Sequence, residues 1–481
     1  MGLADDSPDP NSNELLQGSA KLAPLPCATM KGRFHIQTFG CQMNQHDAQK
    51  MANLLHHEGW APADEPESAD LVVIHTCSVR EKAEHKLYTE LGWLLERKRS
   101  EPDLVVGVGG CVAQQEGEAL LRRFPALDFV FGPQNLVHLP ELAREARSRA
   151  RGLRVDYLDE PQARFDLPEL HPEFASSTPG RAFVTVMEGC DLFCAYCVVP
   201  RTRGREVSRA SERILAEVRS LATSGVSEVT LLGQTVNAYG RPRPGMVSGE
   251  ISFADLVRRV AEIPGIRRIR FTSPHPSFVS DDLIEAYREV PQLCPHLHLP
   301  VQSGSTRVLA AMNRRYDRAT YVDTVTRLRA ARPGIAITTD LIVAFPTETR
   351  EDFAETLGLM REVRFTDSFS FKYSQRPGTP AARRFLGELD PAEAQARLME
   401  VQSLQAELTL EAYRARVGER VDVLVDGHSR RAGATHTGRD PQNRLVNFLA
   451  DRDIARGAYA CVDIDGYTPH SLLGQATTSS C

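Results

Sequence analysis

The sequence predicts a multidomain α/β protein: an N-terminal α/β open-sheet domain, a central partial (β/α)6 barrel and a small C-terminal β-barrel. Three observations predict it. Short apolar runs alternate with helical periodicity from about residue 31 to 150 and again from about 181 to 390, the pattern of parallel sheets covered by helices. Beyond a long amphipathic stretch ending near residue 416 the chain changes to short strand-like runs and turns, the mark of a small β-domain. Six of the ten cysteines form two triplets: Cys190, Cys194 and Cys197 lie close together, whereas Cys41, Cys77 and Cys111 are 36 and 34 residues apart. The expected segments are a disordered lead-in at 1–30, an N-terminal domain at 31–150, a linker at 151–178, the central domain at 179–408 and the last domain at 411–475.

At 481 residues the chain can hold about three domains. A hydrophobic share of 42% and a charged share of 25% are ordinary for a soluble globular protein. A net charge of −6 argues against a strongly basic nucleic-acid binder but leaves room for a local basic patch. No apolar run reaches about 18 residues, so no transmembrane helix and no membrane partner are expected. The acidic opening, Met1 to Pro10, lacks the apolar core of a secretory signal; a cytoplasmic home is expected. Disulfide frameworks belong to small secreted chains. Metal or cluster ligation is therefore expected of the cysteine triplets, and no role is assigned to Cys27, Cys461 or Cys481.

In the N-terminal domain, Phe34–Phe39 reads as a strand and Asp47–His57 as a helix with Met51, Leu54 and Leu55 on one face. Leu71–His75 is a buried strand, Arg80–Lys98 a helix and Leu104–Val108 the next strand. Cys41, Cys77 and Cys111 each fall just past a strand's C-terminal end, where open α/β sheets form ligand sites. Three unrelated core thiols are the alternative, and the shared position weighs against it. Gly107-Val-Gly109-Gly110 fails as a dinucleotide-binding motif because Val112 stands where the third glycine belongs. These glycines are expected to form a tight turn presenting Cys111.

The central domain offers six strands: Phe183–Met187, Glu228–Leu232, Arg267–Phe271, His296–Leu299, Ala336–Val343 and Ser368–Lys372. Helical patterns such as Phe253–Ile263, Thr320–Arg329 and Glu351–Val363 separate them. By analogy with the full barrel, the active face is at the strand C-termini. Cys294 is expected to be a packed core thiol. A long helix, Pro391–Arg416, leads to strands at Val421–Val425 and Leu445–Phe448. Between those strands, Arg430, Arg431, Arg439 and Arg444 face only one acid, Asp440. They are a candidate RNA-binding set on phosphates, with a solvated loop as the other reading.

Cys190-x3-Cys194-x2-Cys197 must lie on one loop wrapped around its ligand. Structural zinc takes four ligands, and no fourth cysteine or histidine is near. Three thiolates hold a cubic 4Fe-4S cluster by three irons and leave the fourth open. Phe193 and Tyr196 beside them would shield it from water.

That motif, at the start of a β/α barrel, resembles the radical S-adenosylmethionine superfamily. With three dispersed cysteines upstream and a small β-domain downstream, the chain resembles its methylthiotransferase family over about 31–475. Thr38-Phe-Gly-Cys-Gln-Met-Asn44, Thr76-Cys-Ser-Val-Arg-Glu-Lys-Ala83 and Cys197-Val-Val-Pro-Arg-Thr-Arg-Gly204 are similar to the branch acting on isopentenyl-adenosine in tRNA. The resemblance implies two 4Fe-4S clusters, S-adenosylmethionine and a TRAM-type RNA-binding barrel. In that scheme the Cys190–Cys194–Cys197 cluster chelates the cofactor through its open iron and cleaves it to a 5′-deoxyadenosyl radical. The Cys41–Cys77–Cys111 cluster holds the sulfur; one S-adenosylmethionine methylates it and a second supplies the radical.

Gln234, Asn237, Ser273, His275, Gln302, Ser303, Asp340 and Phe345 match segments that contact the cofactor. Ala344 and Thr347 stand where the family carries glycine, and His75 where it carries asparagine. The implied partners are the tRNA anticodon stem-loop and an electron donor such as a flavodoxin or ferredoxin, with the enzyme a monomer. Branches acting on threonylcarbamoyl-adenosine or a ribosomal-protein aspartate are the nearest alternatives. A zinc-stabilised RNA-binding protein without catalysis is the alternative from another class.

Overall fold

The computed structural model describes residues 31–78, 81–168, 174, 179–242, 250–385, 387, 389–477 and 481. The expected lead-in, with Cys27, and most of the linker's second half lie outside them. The chain divides into two compact units. One comprises Met1–Ser177, Glu188–Cys190 and Val198–Arg209; the other Thr178–Met187, Asp191–Cys197 and Ala210–Cys481.

The first unit is built on a six-stranded parallel sheet: β1 (Gly32–Phe39), β2 (Trp60–Pro62), β3 (Leu71–Thr76), β4 (Val105–Gly110), β5 (Phe129–Phe131) and β6 (Gly152–Arg154), in the order β2-β1-β3-β4-β5-β6. Every residue of β3 and β4 is buried, as a sheet covered on both faces requires. Side chains alternate between two apolar cores. Leu71 and Val73 join Met51, Leu55, Trp60 and Leu139 on one face; Val72 and Ile74 join Leu87, Leu91 and Leu94 on the other. Helix α1 (Gln42–His57) begins five residues earlier than periodicity suggested, immediately after Cys41.

The glycine expectation is corrected. Gly107 and Gly109 are not a turn; they lie inside β4. A Cβ on Gly107 would come within 2.0 Å of the Phe129 ring, and one on Gly109 within 2.4 Å of the Phe131 ring. Both glycines make room for aromatic rings from the neighbouring strand. Gly110 alone makes the turn, with φ +100 and no space beside Thr76 O.

The second unit holds all six expected parallel strands, in two runs of three. Arg181–Thr185 pairs with Glu228–Leu232, which pairs with Arg268–Phe271. His296–His298 pairs with Ala336–Val343, which pairs with Asp367–Lys372. An isolated bridge links Ile269, in the last strand of the first run, to Leu293, just ahead of the second run. Helix Pro391–Arg414, capped by Asp390, crosses to a closed barrel of Arg420–His428, His436–Arg439, Leu445–Leu449, Tyr459–Tyr467 and Leu472–Ala476. Val421, Val423, Val425, Val446, Phe448, Val462, Ile464 and Leu472 fill the barrel.

Buried Glu228 ties the two parts of this unit. It faces Arg181 at 3.2 Å, Arg270 at 3.2 Å and Arg268 at 3.5 Å. Burial works to raise its carboxyl, but the three guanidinium groups hold it down to about 2. Arg268 reaches on to Arg439 O at 3.0 Å and to Asp422 O; Arg270 reaches Asp440 O at 2.8 Å and Pro441 O at 3.0 Å.

Cys294 is buried, as expected. Cys461 and Cys481, expected to be without a role, form a disulfide; the exclusion of disulfides by chain class does not reach this pair. Among the described residues no helix is long and apolar enough to cross a membrane.

Gly109→Ala is expected to destabilise the protein by about 1–3 kcal/mol through overpacking against Phe131. A urea unfolding midpoint that does not fall would show that the ring yields freely.

Candidate functional site

In the first unit the parallel register brings three strand ends to one edge: Phe39 pairs with Thr76, and Thr76 with Gly110. Cys41, Cys77 and Cys111 follow those residues directly or within two positions. Cys41 precedes the first turn of α1, and its Sγ donates to Asn44 Oδ1 at 3.3 Å. Its thiol is pulled down to about 6, chiefly by a hydrogen bond with Cys77, against burial, with help from Arg203 and the amides of α1. Burial instead pushes the Cys111 thiol up, while Arg203 and Thr202 oppose it.

Arg203 is fully committed to this site. It is buried, and its Nη2 donates to Asp47 Oδ2 at 2.7 Å. Burial acts against its charge, but Asp47, Cys111, Glu188 and Cys41 hold the guanidinium well above its ordinary value. The same environment would raise Asp47 by burial, yet Arg203 and Lys50 keep it below the usual carboxylate range. A permanent cation therefore faces thiols that must ionise to bind metal.

The edge fits an anionic sulfur-rich group. Thr38 Oγ1, Asn44 Nδ2, both ring nitrogens of His75, Thr76 Oγ1 and Ser78 Oγ are buried with no hydrogen-bond partner among the described residues. Each orphaned polar atom costs about 1–3 kcal/mol. Such a concentration beside three thiols and a guanidinium is explained by a bound acceptor that the protein alone does not supply.

Cys190 is also in this unit; its N–H donates to Gly204 O at 3.2 Å. Gly189 before it has φ +81, and a Cβ there would lie 2.0 Å from Arg205 O. The loop can take only glycine at that point.

In the second unit, Cys194 and Cys197 are joined by a Cys197 N–H to Cys194 O bond of 3.0 Å. Ala195 between them docks through its N–H on Met312 O and its carbonyl on Ala381 N, and packs with Val308, Met312, Phe345 and Ala381. Arg314 stands over this loop. Nη1 lies 3.4 Å from both Cys194 Sγ and Tyr196 OH, Nε is 3.0 Å from Tyr316 OH, and Nη2 donates to Pro300 O at 2.7 Å. Burial pushes the Tyr196 hydroxyl well above its ordinary value, so it stays protonated.

The eight expected cofactor contacts divide. Asn237 exchanges two hydrogen bonds with the backbone of His275, at 2.9 and 2.8 Å. His275 is driven down to about 2 by burial and then by Arg314 and Arg315, and its Nε2 has no partner among the described residues. Phe345 is buried against Tyr373 and Phe385. Gln302 bridges to Asp340 O and Ile342 N through its backbone. Ser303 turns instead to Thr356, and the Asp340 carboxylate to His298 at 3.4 Å. Gln234 follows the strand Glu228–Leu232 within two positions.

Three residues beyond strand ends adopt left-handed backbone: Ser273 (φ +58), Gln302 (φ +76) and Ala344 (φ +60). At Ala344 the N–H is held by Glu348 Oε2 at 2.7 Å, and Glu348 is itself paired with buried Arg397 at 2.8 Å. Strain of this kind persists only where surrounding contacts over-determine it.

The four arginines of the C-terminal domain also divide. Arg430 and Arg431 are exposed. Arg444 is buried, donating to Ala412 O at 2.9 Å over the Tyr413 ring, and Arg439 donates to Asn443 O at 2.9 Å. Arg203, Asp47 and Arg314 escaped sequence reading; their only signal was position, two of them lying in arginine-rich runs next to cysteines or barrel loops.

Two outcomes are expected. Ala344→Gly should stabilise the protein by about 1 kcal/mol by relieving left-handed strain, read from chemical unfolding. In iron-free protein, Cys41 should alkylate with a midpoint near pH 6, its thiolate lost as pH falls through that value, while Cys111 should react only at alkaline pH. Residue-resolved mass spectrometry gives both profiles, and identical profiles would contradict the assignment.

Residues 33–132 match the family described as uncharacterized protein family UPF0004, and 184–360 match the radical SAM superfamily. A tRNA-2-methylthio-N(6)-dimethylallyladenosine synthase of Geobacter sulfurreducens is 50% identical over 444 residues, 92% of this chain and 97% of that one. The protein of the same name from Myxococcus xanthus is 47% identical over 449 residues, 92% of this chain and 94% of that one. Among solved structures, the radical S-adenosylmethionine methyltransferase TsrM of Kitasatospora setae aligns with TM-score 0.53 at 16% identity over 73% of this chain and 75% of its own. The cobalamin-dependent radical enzyme OxsB aligns with TM-score 0.51 at 12% identity over 78% of this chain and 56% of its own. These structural likenesses speak to the fold; the sequence relatives speak to the family. The chain belongs to the radical S-adenosylmethionine family of tRNA-2-methylthio-N(6)-dimethylallyladenosine synthases.

Proposed function

We propose that this protein adds a methylthio group to the adenine ring of isopentenyl-adenosine (the dimethylallyl adenosine of its relatives' names) beside the anticodon of tRNA. The observation that carries this reading is the Cys41–Cys77–Cys111 edge, with its buried cation and orphaned donors, in a chain that also bears the Cys190–Cys194–Cys197 motif. Each triplet is assigned one 4Fe-4S cluster. When bound, the clusters and S-adenosylmethionine supply one-electron chemistry and sulfur, which no side chain offers at an unactivated aromatic C–H bond.

The chain's own residues do the rest. Arg203 and Asp47 balance the charge at the first triplet, and Arg314 does so beside Cys194. Asn237 fixes the backbone of His275, and the left-handed turns at Ser273, Gln302 and Ala344 let main chain approach a ligand closely. Side chains of Gln234, His275 and Phe345, with main chain at Gln302 and Asp340, are assigned to S-adenosylmethionine. Ser303 is assigned to support through Thr356. Arg430 and Arg431 are assigned to RNA phosphates; Arg439 and Arg444, held on backbone carbonyls, are assigned to support of their loop. The target base would be splayed from the anticodon loop. An electron donor of the flavodoxin or ferredoxin type, a monomeric state and a cytoplasmic location complete the reading.

Nucleoside mass spectrometry of tRNA from cells lacking the gene, with and without this protein restored, tests it. A methylthio group should appear on isopentenyl-adenosine. Its appearance only on threonylcarbamoyl-adenosine would move the protein to another branch. Colourless, air-stable protein containing zinc in place of iron and sulfide would support the non-catalytic alternative. Cys77→Ala should keep S-adenosylmethionine cleavage and lose the methylthio product; product from that variant would remove the assigned role of the first triplet.

A further inference from the structure

We propose that His75 donates a hydrogen bond to sulfur bound at the Cys41–Cys77–Cys111 edge and thereby raises the reduction potential of the group held there. The inference rests on the cluster assignment made above for that edge.

His75 sits in β3, hydrogen-bonded through its strand between Thr38 of β1 and Gly109 of β4. It is wholly buried, and neither ring nitrogen has a partner among the described residues. A neutral imidazole always carries one N–H and one lone pair, so an ordinary core histidine would have both engaged. His46, on α1, is a contrast: it is also buried, but its Nδ1 meets Gln49 Oε1 at 3.2 Å.

The position of His75 says what it is waiting for. His75 lies one residue before the end of β3, and Cys77 follows that end directly. A Cβ on Gly110, the residue before Cys111, would lie 3.2 Å from His75 Nε2. The charges acting on the ring are those of Asp47 and Arg203, and Arg203 also acts on Cys41 and Cys111. Asn44 Nδ2 and the hydroxyls of Thr38, Thr76 and Ser78 are also orphaned and able to donate, beside orphaned acceptors at Gln37 and Gln115. A ring of unmet donors next to a cation calls for an acceptor that is anionic and large. Hydrogen bonds to the sulfur of an iron–sulfur cluster raise its potential, and the His75 ring lies beside the turn that carries Cys111. His75 is a positioning and tuning residue, not a ligand.

The test uses full-length, reconstituted protein in a Cys190→Ala, Cys194→Ala, Cys197→Ala background, so that only the first triplet can hold iron. Iron and sulfide are counted, and the midpoint potential is read by EPR-monitored titration for His75, His75→Phe and His75→Asn. With His75→Phe the midpoint should move negative by up to about 59 mV, which is a tenfold change in the ratio of reduced to oxidised centres for one electron. His75→Asn, which keeps an N–H, should remain close to the parent. Iron loss in His75→Phe with iron and midpoint kept in His75→Asn also supports donation. An unchanged midpoint in His75→Phe at equal iron, or an equal shift in both variants, overturns the proposal. A background protein that binds no iron removes the cluster assignment itself, and the role of His75 falls with it.

Discussion

A buried guanidinium against a thiol is the constraint on which both cysteine triplets depend. Thiolates are negative, and moving negative charge out of water is costly without a counter-charge. Arg203 supplies that charge in the first unit and Arg314 in the second. Neither guanidinium could be buried alone. Arg203 is offset by Asp47, and Arg314 spends its donors on Pro300 O and the hydroxyls of Tyr196 and Tyr316. Arginine suits this better than lysine because its charge is spread over a planar fork of five donors and survives burial. Arg203 thus has a carboxylate beside it, whereas Arg314 has only neutral acceptors.

The sheet decides where those charges are needed. Parallel strands in equal register end at one edge, so residues 36 and 34 positions apart become neighbours without any local motif. This much was legible in the sequence, because short apolar runs mark buried parallel strands and the cysteines follow them. The arginines were not legible. Arg201, Arg203 and Arg205 look alike on the page, as do Arg314 and Arg315; which one turns inward depends on loop geometry that periodicity does not encode. The same blindness grouped Arg439 and Arg444 with the exposed Arg430 and Arg431. Glycines misled for a related reason. In Gly107–Gly110 the absence of side chains serves the rings of Phe129 and Phe131 at two positions and a turn at only one.

The ends of the central strands show how far local rules bend. Ser273, Gln302 and Ala344 adopt a backbone conformation that ordinary residues avoid, each just beyond a strand. Ala344 keeps it because Glu348 captures its N–H and Arg397 fixes Glu348. A glycine would reach the same conformation at less cost, so the Glu348–Arg397 pair takes on part of what glycine does elsewhere. A left-handed alanine is thus held by a constraint spread over several residues.

The closed barrel is attached by the same principle applied to a carboxylate. Glu228 is buried at the opposite end of its strand from the Gln234 loop, among three arginines, two of which continue to main-chain carbonyls of Asp422, Asp440 and Pro441. Asp440 and Pro441 lie in the loop before Arg444, and Asp422 lies in the first barrel strand. Arg439 and Arg444 are consumed in holding that loop in shape, one on Asn443 O and the other on Ala412 O. Positive charge in this domain therefore divides by depth. The deeper arginines hold their own loop, and the reversal between His428 and His436 is where Arg430 and Arg431 stand exposed. An RNA phosphate can exchange its counterions only with cations it can reach, so any electrostatic attraction from this segment must come from that reversal rather than from the arginine count of the segment as a whole.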